Sequence, residues 1–331
     1  MRSIDFLAVG DIVTEPFIKL IDAKVHCNLN EDECTISMRW GDKIPYESAE
    51  VIRAVGNSAN AAVSASRLGL TAALVSDIGN DEVGRGNIAQ LMEERVMTDF
   101  VRIHPGMKSN YHYVLWYESE RSILVKHEVY PYRFPDMSPA PRWVYLSSLS
   151  EHSEAYHEEI AAYLGTHPET RFAFQPGTFQ MKLGFETLKN LYARTELFFV
   201  NKEEARRILK LEGNADIKEL LQKLHALGPQ KIVITDNRNG AYAFDGTRYF
   251  FVPLYPDVRA PFERTGAGDA FASSVTSAIA LGKSFEDALL WGPINSMSVV
   301  QEVGAQKGLL TRTKLEAYLA QAPAEYGVSE Y

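Results

Sequence analysis

Six short runs rich in β-branched and aromatic residues recur along the chain: IDFLAV (4–9), AALVS (72–76), RWVYLS (142–147), RFAFQ (171–175), ELFFV (196–200) and KIVIT (231–235), with helix-length segments between them. Apolar strands alternating with helices bury both faces, which predicts an α/β fold with a central, mostly parallel sheet and helices on both faces. A chain of 331 residues, 46% of them hydrophobic, can close such a core as a single domain over 1–331. Two regions break the alternation, residues 24–46 and residues 110–133. In the second, YHYVLWYESERSILVKHEVY reads as two strands about the polar turn Glu118 to Arg121. Both regions are expected to form one small β-rich lid with a face buried against the substrate or a second subunit, and the expected assembly is a homodimer through that lid.

The formal net charge of −9 has no compensating basic block, which argues against a surface for nucleic acid or anionic lipid. The opening MRSIDFLAVGDIVTEPF has too short an apolar run and too many acids for a signal peptide, and no stretch approaches the ~18 apolar residues of a membrane span. A cytoplasmic protein is expected. Cys27 and Cys34, the only cysteines, match neither a zinc knuckle nor a redox pair, and read as reduced structural thiols. His152 and His157 lack the spacing that puts two imidazoles on one helix face.

Residues 263–274 read Glu-Arg-Thr-Gly-Ala-Gly-Asp-Ala-Phe-Ala-Ser-Ser. A glycine-rich turn feeds a helix of small residues here, so the backbone N–H groups of Gly266, Ala267 and Gly268 can converge at a helix N-terminus as an anion cradle. Asp269 follows directly, aimed at whatever anion lies there, where a carboxylate is costly unless it is used. Its natural task is to take a proton from a hydroxyl while the N–H groups stabilise a phosphoryl group in flight. A short Gly-x-Gly is weak by itself, and a tight loop with Asp269 as a helix cap stays open on these residues alone. The helix should stop at Gly282, and Ser284-Phe285-Glu286-Asp287 resembles a capping box for the next.

Thr265-Gly-Ala-Gly-Asp-Ala-Phe271 resembles the C-terminal signature of the ribokinase-like, phosphofructokinase-B-type carbohydrate kinases. Val55-Gly56-Asn57-Ser58-Ala59-Asn60, continuing to Arg67-Leu68-Gly69, resembles that family's N-terminal segment. Further likenesses follow in the family's order: Ile78 to Gly84, Asn201-Lys202-Glu203-Glu204, Thr235 with Gly240, and Gly304-Ala305. The resemblance implies ATP-dependent phosphorylation of a hydroxyl on a small sugar. Asp269 would be the general base, and the backbone of Gly266, Ala267 and Gly268 the anion hole. Gly56, Asn57 and Asn60 would hold the acceptor, joined by Glu15, with Asp11 the nearest other carboxylate. Short amides at a helix N-terminus offer donors and acceptors at fixed positions, which independently suits a polyol.

On the nucleotide side the resemblance implies Asn201 and Glu204 near the Mg²⁺-phosphate region, with Mg²⁺ carried by ATP and Glu204 reaching it through water, and Thr235, Gly240 and Gly304 about the nucleotide. Asn201 with Glu204 also reads as a capping box, and Thr235–Gly240 as an ordinary hairpin turn. The chain departs from the family at Val55, Glu15, Glu263, Arg264 and Ser274. Arg264 would either reach ATP phosphates or replace a monovalent-cation (K⁺) site. Two other readings stay open. One is a nucleoside kinase in which Tyr111, Tyr113, Trp116 and Tyr117 stack on a base; the other is a catalytically inactive sugar-binding regulator. Arg121, Lys126 and His127 read as a solvated charged face, or as contacts to a phosphorylated acceptor.

Overall fold

The structure, a computed structural model, describes residues 3–27, 34–118, 120–211, 213, 215–262 and 264–331. In chain order its strands are β1 (Phe6–Val9), β2 (Val13–Leu20), β3 (Lys24–Cys27), β4 (Cys34–Ser37), β5 (Tyr46–Val55), β6 (Ala72–Gly79), β7 (Val101–His104) and β8 (Tyr113–Tyr117). They continue as β9 (Glu120–Leu124), β10 (Trp143–Leu146), β11 (Arg171–Phe174), β12 (Leu197–Asn201), β13 (Lys231–Thr235), β14 (Ala241–Phe244), β15 (Tyr249–Val252) and β16 (Ser329–Glu330).

Each of the six apolar runs supplies a strand of one large sheet, ordered β16-β15-β14-β13-β12-β11-β10-β1-β6-β7 among the described residues. From β7 to β13 every neighbouring pair is parallel, and β14 to β16 close the far edge antiparallel. Side chains alternate across this sheet as the pleat requires. Phe6 and Ala8 enter one apolar core with the helices Asn57–Arg67, Ala267–Ala280 and Trp291–Val299. Leu7 and Val9 enter the other with the helices Glu154–Thr166, Thr178–Arg194 and Ile217–Ala226.

The helix Ala267–Ala280 is buried from Asp269 to Ala280, which its run of Ala and Ser permits because small side chains let neighbouring helices come close. Ser274, where the family usually has glycine, accepts a hydrogen bond from Asn295 Nδ2 at 2.7 Å and so ties two buried helices together. Gly282 takes φ 89 just beyond the helix, the expected C-terminal stop.

Strand order reverses between β1 and β10. The chain steps from β1 outward to β6 and β7, then returns to β10 and proceeds the other way. In open parallel sheets such a reversal leaves a crevice beyond the carboxyl ends of the strands.

A second sheet, β5-β2-β8-β9, forms the lid, with β2 antiparallel to β5 and parallel to β8. It draws on residues 13–20 and 46–55 rather than 24–46, which makes a separate β3–β4 hairpin. The sequence hides β2, since Pro16 and the charged Glu15 and Lys19 interrupt its strand pattern. The β8–β9 turn is also tighter than expected, with Glu118 at φ 54 and β9 resuming at Glu120.

The cysteines correct the reading as reduced thiols: Cys27 and Cys34 face each other across β3–β4 and are joined as a disulfide. Hairpin register brings them together, and spacing alone gave no sign of it. No helix among the described residues is long and apolar enough to cross a membrane.

Candidate active site

The crevice at the strand reversal collects the side chains that could do chemistry. Asp11 lies just beyond β1, Ser147 to Ser150 beyond β10, Gln175 beyond β11, Asn201 at the end of β12 and Thr235 at the end of β13. The helix Asn57–Arg67 is brought against β1 by a close backbone approach at Gly56. There φ is 108, and a Cβ would stand 2.7 Å from the carbonyl oxygen of Asp11.

Asp269 sits at the centre, only 8% exposed, in the first turn of the helix Ala267–Ala280. Three amides donate to its carboxylate: Asn57 Nδ2 (2.9 Å) and Gln175 Nε2 (3.0 Å) to Oδ1, and Asn60 Nδ2 (2.8 Å) to Oδ2. Two of the donors, Asn60 and Gln175, are themselves oriented by a bond to the carbonyl end of the amide. Gln306 Nε2 donates to Asn60 Oδ1 at 3.0 Å, and the Tyr145 hydroxyl donates to Gln175 Oε1. Burial raises the pKa of Asp269 above the usual carboxylate range; the three amides pull it down, and the charge of Glu15 adds to the rise. Of roughly four lone-pair sites on a carboxylate, three are occupied, which leaves a direction on Oδ2 for an incoming hydroxyl.

Above Asp269 the helix begins at Gly266, in the left-handed region at φ 78, where a Cβ would stand 2.4 Å from the Cβ of Ala305. The contact explains the pairing of the two motifs, since Gly304-Ala305 packs directly on the glycine turn. The Ala267 N–H is directed at Arg264 O at 3.5 Å, whereas those of Gly266 and Gly268 have no partner among the described residues. Gly268 also faces open space, its Cβ position meeting only Gln175 Nε2 at 3.8 Å. Two N–H groups without a partner at a helix start can take an anion.

Asn201 and Glu204 form the capping box their spacing indicates, each side chain bonded to the other's backbone N–H at 2.8 Å. Burial raises the Glu204 pKa, and the charge of Asp269 is among the lesser causes, so this carboxylate borders the same crevice. Thr235 ends β13 opposite Ala241, and Gly240 turns the hairpin at φ 87. Between them Asp236 takes hydrogen bonds from Lys202 Nζ (3.3 Å) and Asn239 Nδ2 (3.2 Å). Arg264 is exposed on the approach to the cradle, and Glu263 lies outside the described residues.

On the acceptor side Asp11 and Glu15 are both buried, and both face histidines. Asp11 accepts from the Tyr132 hydroxyl and the Ser150 N–H, each at 2.8 Å, while His127 Nδ1 stands 3.4 Å from its Oδ2. Glu15 Oε1 lies 3.3 Å from His112 Nδ1. His127 therefore belongs to the site rather than to a solvated charged face. The aromatic residues of β8 do not gather on one surface. Trp116 is buried edge-on against Phe262, with ring centroids 4.9 Å apart, whereas Tyr113 is exposed on the opposite face of the lid.

Sequence reasoning missed Gln175, Gln306, His112, Tyr132 and Ser150. For Gln175 the one available signal was a polar residue closing an apolar strand run.

A family model described as pfkB family carbohydrate kinase matches residues 18–312. The chain belongs to the pfkB family of carbohydrate kinases. Members of this family are phosphotransferases. The kinase is similar to the ribokinase of Bacillus subtilis strain 168, at 27% identity over 270 residues, covering 80% of this chain and 87% of that one. Among solved structures it resembles a Methanocaldococcus jannaschii nucleoside kinase with a TM-score of 0.76 at 18% identity, covering 97% and 100% of the two chains. It likewise resembles Arabidopsis thaliana ribokinase complexed with ribose and ATP, with a TM-score of 0.75 at 19% identity and coverage of 96% and 99%. These likenesses establish the ribokinase-like fold with its lid.

Proposed function

We propose that this kinase transfers the γ-phosphoryl group of ATP to a hydroxyl of a small sugar, with Asp269 as the general base. The observation that carries this reading is the Asp269 shell: a buried carboxylate held by three amide donors, with one lone pair open, beside a helix N-terminus with N–H groups to spare. The acceptor lies between Glu15, Asp11, Gly56, Asn57, Asn60 and Asp269. Its hydroxyl donates to Asp269 Oδ2, attack on the γ-phosphorus runs in line, and the proton passes to Asp269 late because the transition state is loose. The N–H groups of Gly266 and Gly268, with Ala267 between them, stabilise charge on the transferred group.

ATP lies along the carboxyl edge of β12 and β13, against Asn201, Thr235 and Gly240, with Arg264 toward its phosphates and Gly304 supporting the cradle from behind. Mg²⁺ arrives carried by the nucleotide, with Glu204 able to reach its hydration shell. When bound, Mg²⁺ supplies charge neutralisation to the phosphates. A sugar is favoured over a nucleoside because Trp116 is committed to Phe262 and Tyr113 faces outward, so these two rings do not form one stacking surface for a base.

The test is a phosphoryl-transfer screen with ATP against pooled sugars, sugar phosphates and nucleosides, run on the wild-type chain and on Asp269→Asn. Removing the base should lower turnover by a factor on the order of 10²–10⁴ while acceptor binding persists. Near-normal turnover in the variant would show that another group takes the proton. Turnover confined to nucleosides would overturn the sugar reading.

A further inference from the structure

His112 has a place in the acceptor pocket that nothing above accounts for. Glu15 and His112 stand side by side on the lid face that also carries Phe17, Val114 and Trp116, as the parallel β2–β8 register sets them. An ionised carboxylate can only accept, so the hydrogen between Glu15 Oε1 and His112 Nδ1 resides on the imidazole. In a neutral imidazole this tautomer leaves Nε2 as the hydrogen-bond acceptor. The ring is 7% exposed, and Nε2 is enclosed with no partner among the described residues.

A buried polar atom without a partner is costly, so its retention asks for a ligand. The surroundings indicate which one. His127 meets the His112 ring edge-on at 4.9 Å and leans on Asp11 and Phe179, so Glu15, His112, His127 and Asp11 form a continuous wall. Glu15 Oε2 has no partner among the described residues either.

We propose that His112 is an acceptor-binding, specificity-determining residue. Its Nδ1 holds Glu15 in place, and Nε2 accepts a hydrogen bond from one acceptor hydroxyl while Glu15 Oε2 accepts from the neighbouring one. The pair thereby selects a vicinal diol. The closed lid seals Nε2, so the diol enters with the lid raised. The inference rests on the kinase reading for its ligand.

The test uses His112→Asn, whose amide can keep the bond to Glu15 but has nothing at the Nε2 position, and His112→Gln, whose amide reaches that position. With D-ribose, D-fructose and cytidine as probes, His112→Asn should raise the acceptor KM about tenfold. Its kcat and the KM for ATP should hold, and His112→Gln should stay closer to wild type. One deoxy analogue of the preferred probe should lose about tenfold in the wild type and nothing further in His112→Asn. An unchanged acceptor KM in His112→Asn overturns the proposal, as does an equal loss in both variants with lowered melting temperatures.

If none of the three probes is phosphorylated, none of them is the acceptor, and the ¹⁵N spectrum of His112 still decides. An unprotonated Nε2 whose resonance moves on adding any of the three probes supports the proposal. A protonated Nε2, or a resonance that none of them moves, overturns it.

Discussion

A carboxylate that serves as a base must stay ionised where water is scarce, and Asp269 is placed under opposing influences. Burial pushes its pKa up, while the amides of Asn60, Gln175 and Asn57 hold it down. Because the deprotonated form is the active one, the proposed mechanism predicts that kcat/KM falls as pH drops through this raised pKa, on an acid limb above the ordinary carboxylate range. Gln175→Met keeps the volume but removes one donor to the charged form, so that limb should move to still higher pH, with a loss at neutral pH on the order of tenfold. A pH–rate profile whose acid limb stays put in the variant would remove Gln175 from the base's environment. Asp269 itself was legible in the sequence, because the helix start that aims it is local. Gln175 was not, since its bond to Asp269 joins residues 94 apart in the chain and depends on which strands end together.

At the scale of elements, legibility again follows locality. The Asn201–Glu204 capping box forms as its spacing indicates, whereas Ser284 caps its helix by accepting from the Asp287 N–H while the Asp287 carboxylate accepts from the Ser284 hydroxyl, so only half of the expected box is made. Strand β2 escaped detection because its register is dictated by β5 and β8 rather than by its own alternation. The cradle turn combines both kinds of constraint. Gly266 needs the left-handed conformation locally, and it also needs the space that Ala305 fills from 39 positions away.

Gly266→Ala should therefore cost about 1–2 kcal/mol from the conformation alone, with the clash against Ala305 added. Thermal denaturation should show a drop of roughly 2–4 °C for each kcal/mol lost. Adding Ala305→Gly should restore the part due to contact and leave the conformational part. A single variant as stable as wild type would mean that the turn relaxes freely, and the cradle could not then be rigid.

Across the whole molecule the alternation of strands and helices announced the parallel sheet, but the position of its reversal between β1 and β10 could only come from the folded chain, and that reversal gathers the site. The lid poses the remaining question of assembly. Its inner face buries Phe17, Val114 and Trp116, while its outer face carries Ile18, Val51, Tyr113, Leu115 and Leu124, as the cross-strand register requires. Val51, Tyr113 and Leu124 on that outer face are exposed at 47%, 46% and 55%. A sheet apolar on both faces and covered on one is an unfinished sandwich, and a second copy of the same sheet would complete it with matched chemistry.

We therefore expect a homodimer through the lid. Light scattering coupled to size exclusion should give twice the chain mass at micromolar concentration, and Val51→Glu with Leu124→Glu should reduce it to the mass of one chain. Both substitutions point away from the acceptor, so the monomer should keep the Asp269 shell and its pH limb, although a lid unsupported by its partner should bind the acceptor more weakly. A wild-type chain that remains monomeric at tens of micromolar would rule the dimer out, and the outer face would then need another partner or stay bare.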